Sequence, residues 1–139
     1  NMDNSNIKLR SVTKSDIRFL YNQLKERDSI INISHKELPT YVEHSKFVLS
    51  KPYSKWYIII HKNRKIGNTY LTKINEIGIN ILKSIKVKDI EKIVLEILMK
   101  TNPRSRYLAN VSPMNNKSSS FFKKNGFKLI QHTYELTLN

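Results

Sequence analysis

The chain has 139 residues, with 25 Lys+Arg against 11 Asp+Glu and a net charge of +14. That length suits one domain with one core, and the absence of cysteine excludes disulfides, thiolate metal sites and a cysteine nucleophile. Gly67, Gly78 and Gly126 are the three glycines, too few and too scattered for a phosphate-cradling or dinucleotide-binding glycine loop. No apolar run is long enough for a membrane span, and no basic-then-apolar leader precedes the first strand, so a cytoplasmic protein without membrane association is expected. Asn1, ahead of Met2, reads as a cloning remnant. The positive charge suits an anionic ligand, but the lysines are dispersed and no zinc-finger or RNA-recognition signature accompanies them, so specific nucleic-acid binding is not expected.

In chain order, Ile7 to Val12 alternates and predicts a first strand. Thr13-Lys14-Ser15-Asp16 is a capping-box-like opening for a helix over 14–26, with Ile17, Leu20, Tyr21 and Leu24 on one face. Thr40 and Glu43 form a second capping box, opening a helix whose apolar contact comes from Phe47, Val48 and Leu49 and which ends at Lys51-Pro52. Trp56 to Ile60, Ile66 to Ile74 and Glu76 to Leu82 predict a three-stranded antiparallel meander with turns at 62–65 and Asn75. Ile90, Ile93, Val94, Ile97 and Leu98 mark an amphipathic helix over 89–100. Tyr107 to Val111 predicts a short strand, Asn116 to Asn125 a helix capped by Gly126, and Phe127 to Leu138 a final strand. This order predicts an α/β fold with a mixed, twisted sheet flanked by helices, in one domain over 2–139.

One stretch is more specific. Val111-Ser112-Pro113-Met114-Asn115-Asn116-Lys117-Ser118, followed by Phe121-Phe122-Lys123-Lys124-Asn125-Gly126-Phe127, resembles the fifth-strand and fourth-helix pattern of the Gcn5-related N-acetyltransferase (GNAT) superfamily. With the element order, the resemblance runs from Ile7 to Leu138 and implies acetyl transfer from acetyl-CoA, as co-substrate and without a metal, to a small-molecule amine. Ile33-Ser34 and the stretch from Tyr41 to Phe47 look like the branch acting on nucleotide-linked amino sugars.

The resemblance assigns roles by position. Glu76 matches the fourth-strand carboxylate that takes the ammonium proton through water. Ile79, Asn80 and Ile81 would meet the thioester and pantetheine arm with their backbones. Lys86, Val87, Lys88, Asp89, Ile90 and Glu91 occupy the pyrophosphate loop, where Asp89 and Glu91 replace small residues. An acid at that helix start is also an ordinary cap. Asn115, Ser118 and Phe122 would touch the cofactor, Asn115 being equally suited to cap the helix. The family often has a tyrosine where Phe122 stands, as acid for the departing thiolate, so the proton falls to Tyr134 or water. His44, on the helix that borders the acceptor pocket in the family, is the candidate acceptor-binding residue. The alternative is a non-catalytic GNAT-like module that binds an acyl-CoA or a partner weakly or not at all. The oligomeric state, monomer or homodimer, is open.

Overall fold

The computed structural model describes residues 6–27 and 37–139. Strand β1 (Ile7–Ser11) leads through a 3-10 turn, Lys14–Asp16, into helix α1 (Ile17–Glu26). Helix α2 (Tyr41–Leu49) precedes the hairpin strands β2 (Lys55–His61) and β3 (Arg64–Leu71), then β4 (Ile77–Ile81), α3 (Ile90–Thr101) and α4 (Asn116–Lys124). The four strands form one antiparallel sheet in sequence order. Lys62 and Asn63, both at positive φ, are the two residues that reverse the chain between His61 and Arg64, the backbone a tight hairpin with right-twisted strands requires.

Strand alternation gives the sheet two apolar faces. Ile7, Leu9, Tyr57, Ile59, Ile77, Ile79 and Ile81 face α3, packing on Ile93, Val94, Leu95 and Leu98. A bulge helps: Ile59 pairs with Gly67 and Ile60 with Lys65, so Ile66 is the extra residue and turns into this core. On the other face Ile58, Trp56 and Ile60 pack against Ile17, Leu20 and Val48 of α1 and α2. Both helix starts use their boxes. Thr40 N donates to Glu43 Oε1 (2.8 Å) while Glu43 N donates to Thr40 Oγ1 (3.1 Å). Thr13 N donates to the Asp16 carboxylate (2.8 Å).

Three expectations are corrected. The strand over 107–111 is reduced to one parallel bridge, Glu76 to Leu108, to which the mixed character of the sheet is confined. Ile77 N donates to Leu108 O (2.8 Å) and Leu108 N to Asn75 O (2.9 Å). Beyond that bridge the two segments are tied by side chains, Asn110 Nδ2 donating to the Glu76 carboxylate (2.7 Å). The strand over 127–138 does not form either. Residues 128–138 are exposed and lie outside regular structure. Finally, of the three apolar residues at the end of α2, Val48 is buried and Phe47, though partly exposed, meets Tyr53 and Trp56 edge-on, so only Leu49 supplies no core contact and faces outward. Ile33-Ser34 lies outside the described residues.

Candidate active site

The hairpin between β3 and β4 sets the first side chain. Thr72 closes the turn, its hydroxyl accepting from Glu76 N (2.9 Å) and Ile74 N (3.3 Å), while Asn75 takes a left-handed backbone. This delivers Glu76, half-buried, to the head of β4. Its carboxylate accepts from Asn110 Nδ2 (2.7 Å) and from the Thr72 hydroxyl (3.2 Å). Glu76 thus stands where β4 is last tied to the 108 segment. Beyond the Ile77–Leu108 bond no backbone hydrogen bond joins the two among the described residues. Ile77 already spends its N–H on Leu108. By alternation Ile79 and Ile81 turn their backbone groups to the same outer edge, where no strand pairs among the described residues. Asn80 differs, because its carbonyl is turned inward and accepts from Gln23 Nε2 (2.8 Å).

Sequence reasoning missed an aromatic group beside Glu76. Tyr70 pairs with Gly78 across the sheet, and its ring and hydroxyl occupy the space a Cβ on Gly78 would fill. Tyr53 stacks on Tyr70 at 4.1 Å between centroids and 7° between planes, and Trp56 meets Tyr53 edge-on at 4.8 Å. Burial foremost pushes both hydroxyls up, with the Glu76 charge adding to it for Tyr70 and the Arg27 guanidinium opposing it for both. Both phenols therefore stay protonated at neutral pH. Below them Asn68 accepts from Trp56 Nε1 (3.1 Å) and donates to Gln23 Oε1 (2.8 Å), a buried polar network joining α1 to the sheet.

The α3 N-terminus builds a second feature. Asp89 sits at the cap position with φ 59° and ψ 24°, yet its side chain makes no cap hydrogen bond. Asp89, Glu91 and Lys92 face Lys117, Ser120, Phe121 and Lys124 of α4 and its C-cap Asn125 across a cleft of about 460 Å³. Lys86 and Lys88 are exposed in the approach, Val87 packs on the core, and Ile90 is buried in it. Lys92, Lys117 and Lys124 beside a helix N-terminus suit an anion; Asp89 and Glu91 oppose one.

The remaining candidates scatter. Asn115 caps α4, Oδ1 accepting from Ser118 N (3.1 Å). Phe122 meets Phe121 and Phe127 with centroids 5.2 and 5.0 Å away. His44 is buried against Tyr21 (5.5 Å) and Phe47 (6.3 Å), among core rings. Tyr134 is 90% exposed and its ring neighbour is His132, so the structure does not bring it to Glu76. Among the described residues no cluster of three or more His, Asp or Glu side chains suits a metal, and no helix is long and apolar enough to cross a membrane.

This architecture is shared with solved structures, several of them acetyltransferases. A domain from Methanocaldococcus jannaschii superposes with a TM-score of 0.75 at 24% identity, covering 93% of this chain and 92% of that one. RimL, a ribosomal L7/L12 alpha-N-protein acetyltransferase in complex with coenzyme A, gives 0.73 at 19% identity over 91% and 82%. The dodecameric spermidine N-acetyltransferase of Vibrio cholerae gives 0.68 at 19% identity over 92% and 82%. No family model and no curated protein matches the sequence. The fold is that of the Gcn5-related N-acetyltransferases.

Proposed function

We propose that residues 2–139 form one N-acetyltransferase domain, moving acetyl from acetyl-CoA to a small amine. The observation that carries this reading is the position of Glu76, a half-buried carboxylate held by Thr72 and Asn110 where β4 parts from the 108 segment. An ammonium acceptor there gives its proton to Glu76 through water. The neutral nitrogen attacks the thioester carbonyl carbon, the C–N bond forms, the nitrogen sheds a second proton to solvent as the C–S bond breaks, and the departing thiolate takes up a proton. Phe122 has no hydroxyl to supply it and Tyr134 is exposed. Tyr70, protonated and within the field of Glu76, takes that role in this reading. The outward backbone groups of Ile79 and Ile81 would hold the pantetheine arm, and the cleft lysines Lys92, Lys117 and Lys124 would meet the phosphates.

Calorimetric titration with acetyl-CoA, followed by transfer assays on nucleotide-linked amino sugars, polyamines and peptide N-termini, tests the reading. Acetyl-CoA binding with transfer to one of these classes is the expected result. The nucleotide-linked sugar is the acceptor class that the stretch from Tyr41 to Phe47 resembles. A second reading, a non-catalytic module, is favoured by one observation: Asp89 and Glu91 place two acids in the cleft. Absence of measurable acetyl-CoA affinity, both in the native chain and in Asp89→Gly, would establish it.

A further inference from the structure

The end of α1 lies over β4. Gln23 Nε2 donates to Asn80 O (2.8 Å), and Glu26 Oε2 accepts from Lys83 N (3.0 Å). Arg27 comes next, at the C-cap of the helix, and is half-buried. On the sheet below, Ile77, Ile79 and Ile81 pack toward α3. Glu76, Gly78 and Asn80 alternate with them and so share the face beneath α1. Tyr70 lies over Gly78 on that face and stacks on Tyr53. Tyr53, Trp56, Tyr70 and Glu76 are half-buried like Arg27, so each keeps a side to water.

This face carries both signs of charge. The Arg27 guanidinium acts on the hydroxyls of Tyr53 and Tyr70, and the Glu76 carboxylate acts on Tyr70. Among the described residues no ion pair joins Arg27 to Glu76. Glu76 takes its hydrogen bonds from the neutral groups of Thr72 and Asn110. The carboxylate suits an ammonium group. A guanidinium fork with two phenol O–H donors suits the oxygens of a carboxylate or phosphate. A dicationic amine would set its second charge against Arg27, in a chain that already carries +14. We propose that this face binds a zwitterion, an aliphatic amine bearing a carboxylate or phosphate, with its anionic end on Arg27 and the Tyr53 and Tyr70 hydroxyls and its amine toward Glu76. That this zwitterion is the acceptor rests on the acetyl-transfer reading. Arg27 then sets specificity: it touches the far end of the acceptor and none of the reacting atoms.

Equilibrium binding tests this, read by calorimetry and by the fluorescence of Trp56, the one tryptophan, which meets Tyr53 edge-on. γ-Aminobutyrate, butylamine and putrescine have carbon chains of equal length and differ at the far end: carboxylate, methyl or ammonium. Phosphoethanolamine supplies the phosphate arm. At least one zwitterion should bind about tenfold more tightly than butylamine, the effect of a charge-assisted contact, and putrescine should bind worst. The tighter zwitterion names the anion. Arg27→Gln should bring γ-aminobutyrate and phosphoethanolamine down to the level of butylamine. Arg27→Lys, which keeps the charge and loses the fork, should restore part of the preference. Putrescine binding as well as the zwitterions, no binding of either zwitterion, or a preference that survives Arg27→Gln overturns the proposal. The ranking on the native protein decides the matter should the variants fail to fold. Acetyl transfer to the bound zwitterion is assayed separately. Arg27-dependent binding without transfer would support the site and overturn the acetyl-transfer reading.

Discussion

The Tyr70 ring lies over Gly78 on the neighbouring strand, in space that any side chain at position 78 would claim. Glycine costs a strand stability, and here it lets a phenol lie flat across β4 beside Glu76 and stack on Tyr53. Gly78→Ala should expel the ring, with a cost of about 1–3 kcal/mol for the overpacked site. Urea denaturation measures the loss. A variant as stable as the native protein would show that Tyr70 can lie elsewhere without penalty.

Asp16 is fully buried yet charged. Arg10 grips it through two bonds (2.8 and 3.0 Å), Lys65 donates at 2.7 Å, and Thr13 N adds a fourth donor. Burial alone would raise its pKa. The Arg10, Lys65 and Thr13 hydrogen bonds outweigh that and hold the carboxyl far below the usual range. The folded value is lower than the unfolded one, so the stabilisation is present above pH about 4 and drains away as pH falls below it. Asp16→Asn should cost about 1–3 kcal/mol at neutral pH, because the charge-assisted bonds from Arg10, Lys65 and Thr13 are lost while the two partly exposed cations turn to water. It should also flatten the acid limb of the stability–pH curve. An acid limb that survives the substitution would place the titration in other carboxylates.

How much of this was legible depended on sequence distance. The Thr40–Glu43 box, the Lys62-Asn63 turn and the α3 stripe are local patterns of three to eight residues, and each appears where its spacing puts it. Asp16 was legible as a capping acid, but its partners Arg10 and Lys65 come from β1 and β3 and follow no spacing rule. Tyr70 carried no motif, although folding the hairpin about its turn places residue 70 opposite 78 and would have singled out the glycine. The 107–111 and 127–138 strands were read from alternation, which reports a willingness to pair and says nothing of a partner. Glu76 was legible by position, while its tether to Asn110 required the bridge to Leu108.

Asp89 links a departure in sequence to a conformation. It stands where the resembling family has a small residue, and its backbone is left-handed at φ 59°, the region glycine enters most easily. Asp89→Gly should therefore leave stability within about 1 kcal/mol of native, since relieved strain offsets the added chain entropy. It also removes one of two acids from the cleft facing Lys92, Lys117 and Lys124. Acetyl-CoA affinity should rise by about tenfold, the effect of roughly 1.4 kcal/mol, and the gain should shrink at high salt. Calorimetry at two ionic strengths separates this from a change in fold. Equal affinity in both proteins would mean that the phosphates do not visit the cleft.

Glu76→Gln preserves shape and removes the base. The amide oxygen can still accept from Asn110 or Thr72, so the turn that Thr72 closes should persist. Stability should change little, and acetyl-CoA affinity should stay near native because the outward groups of Ile79 and Ile81 are untouched. Turnover should fall by roughly 10²–10⁴-fold, the usual contribution of a positioned base, with the loss in kcat and not in the KM for acetyl-CoA. Raising the pH toward the pKa of the acceptor amine should recover part of the loss, since the amine then arrives without its proton. Native turnover in the glutamine variant would reduce Glu76 to a residue that ties β4 to the 108 segment. A loss of equal size at every pH would point to a displaced acceptor and not to a missing base.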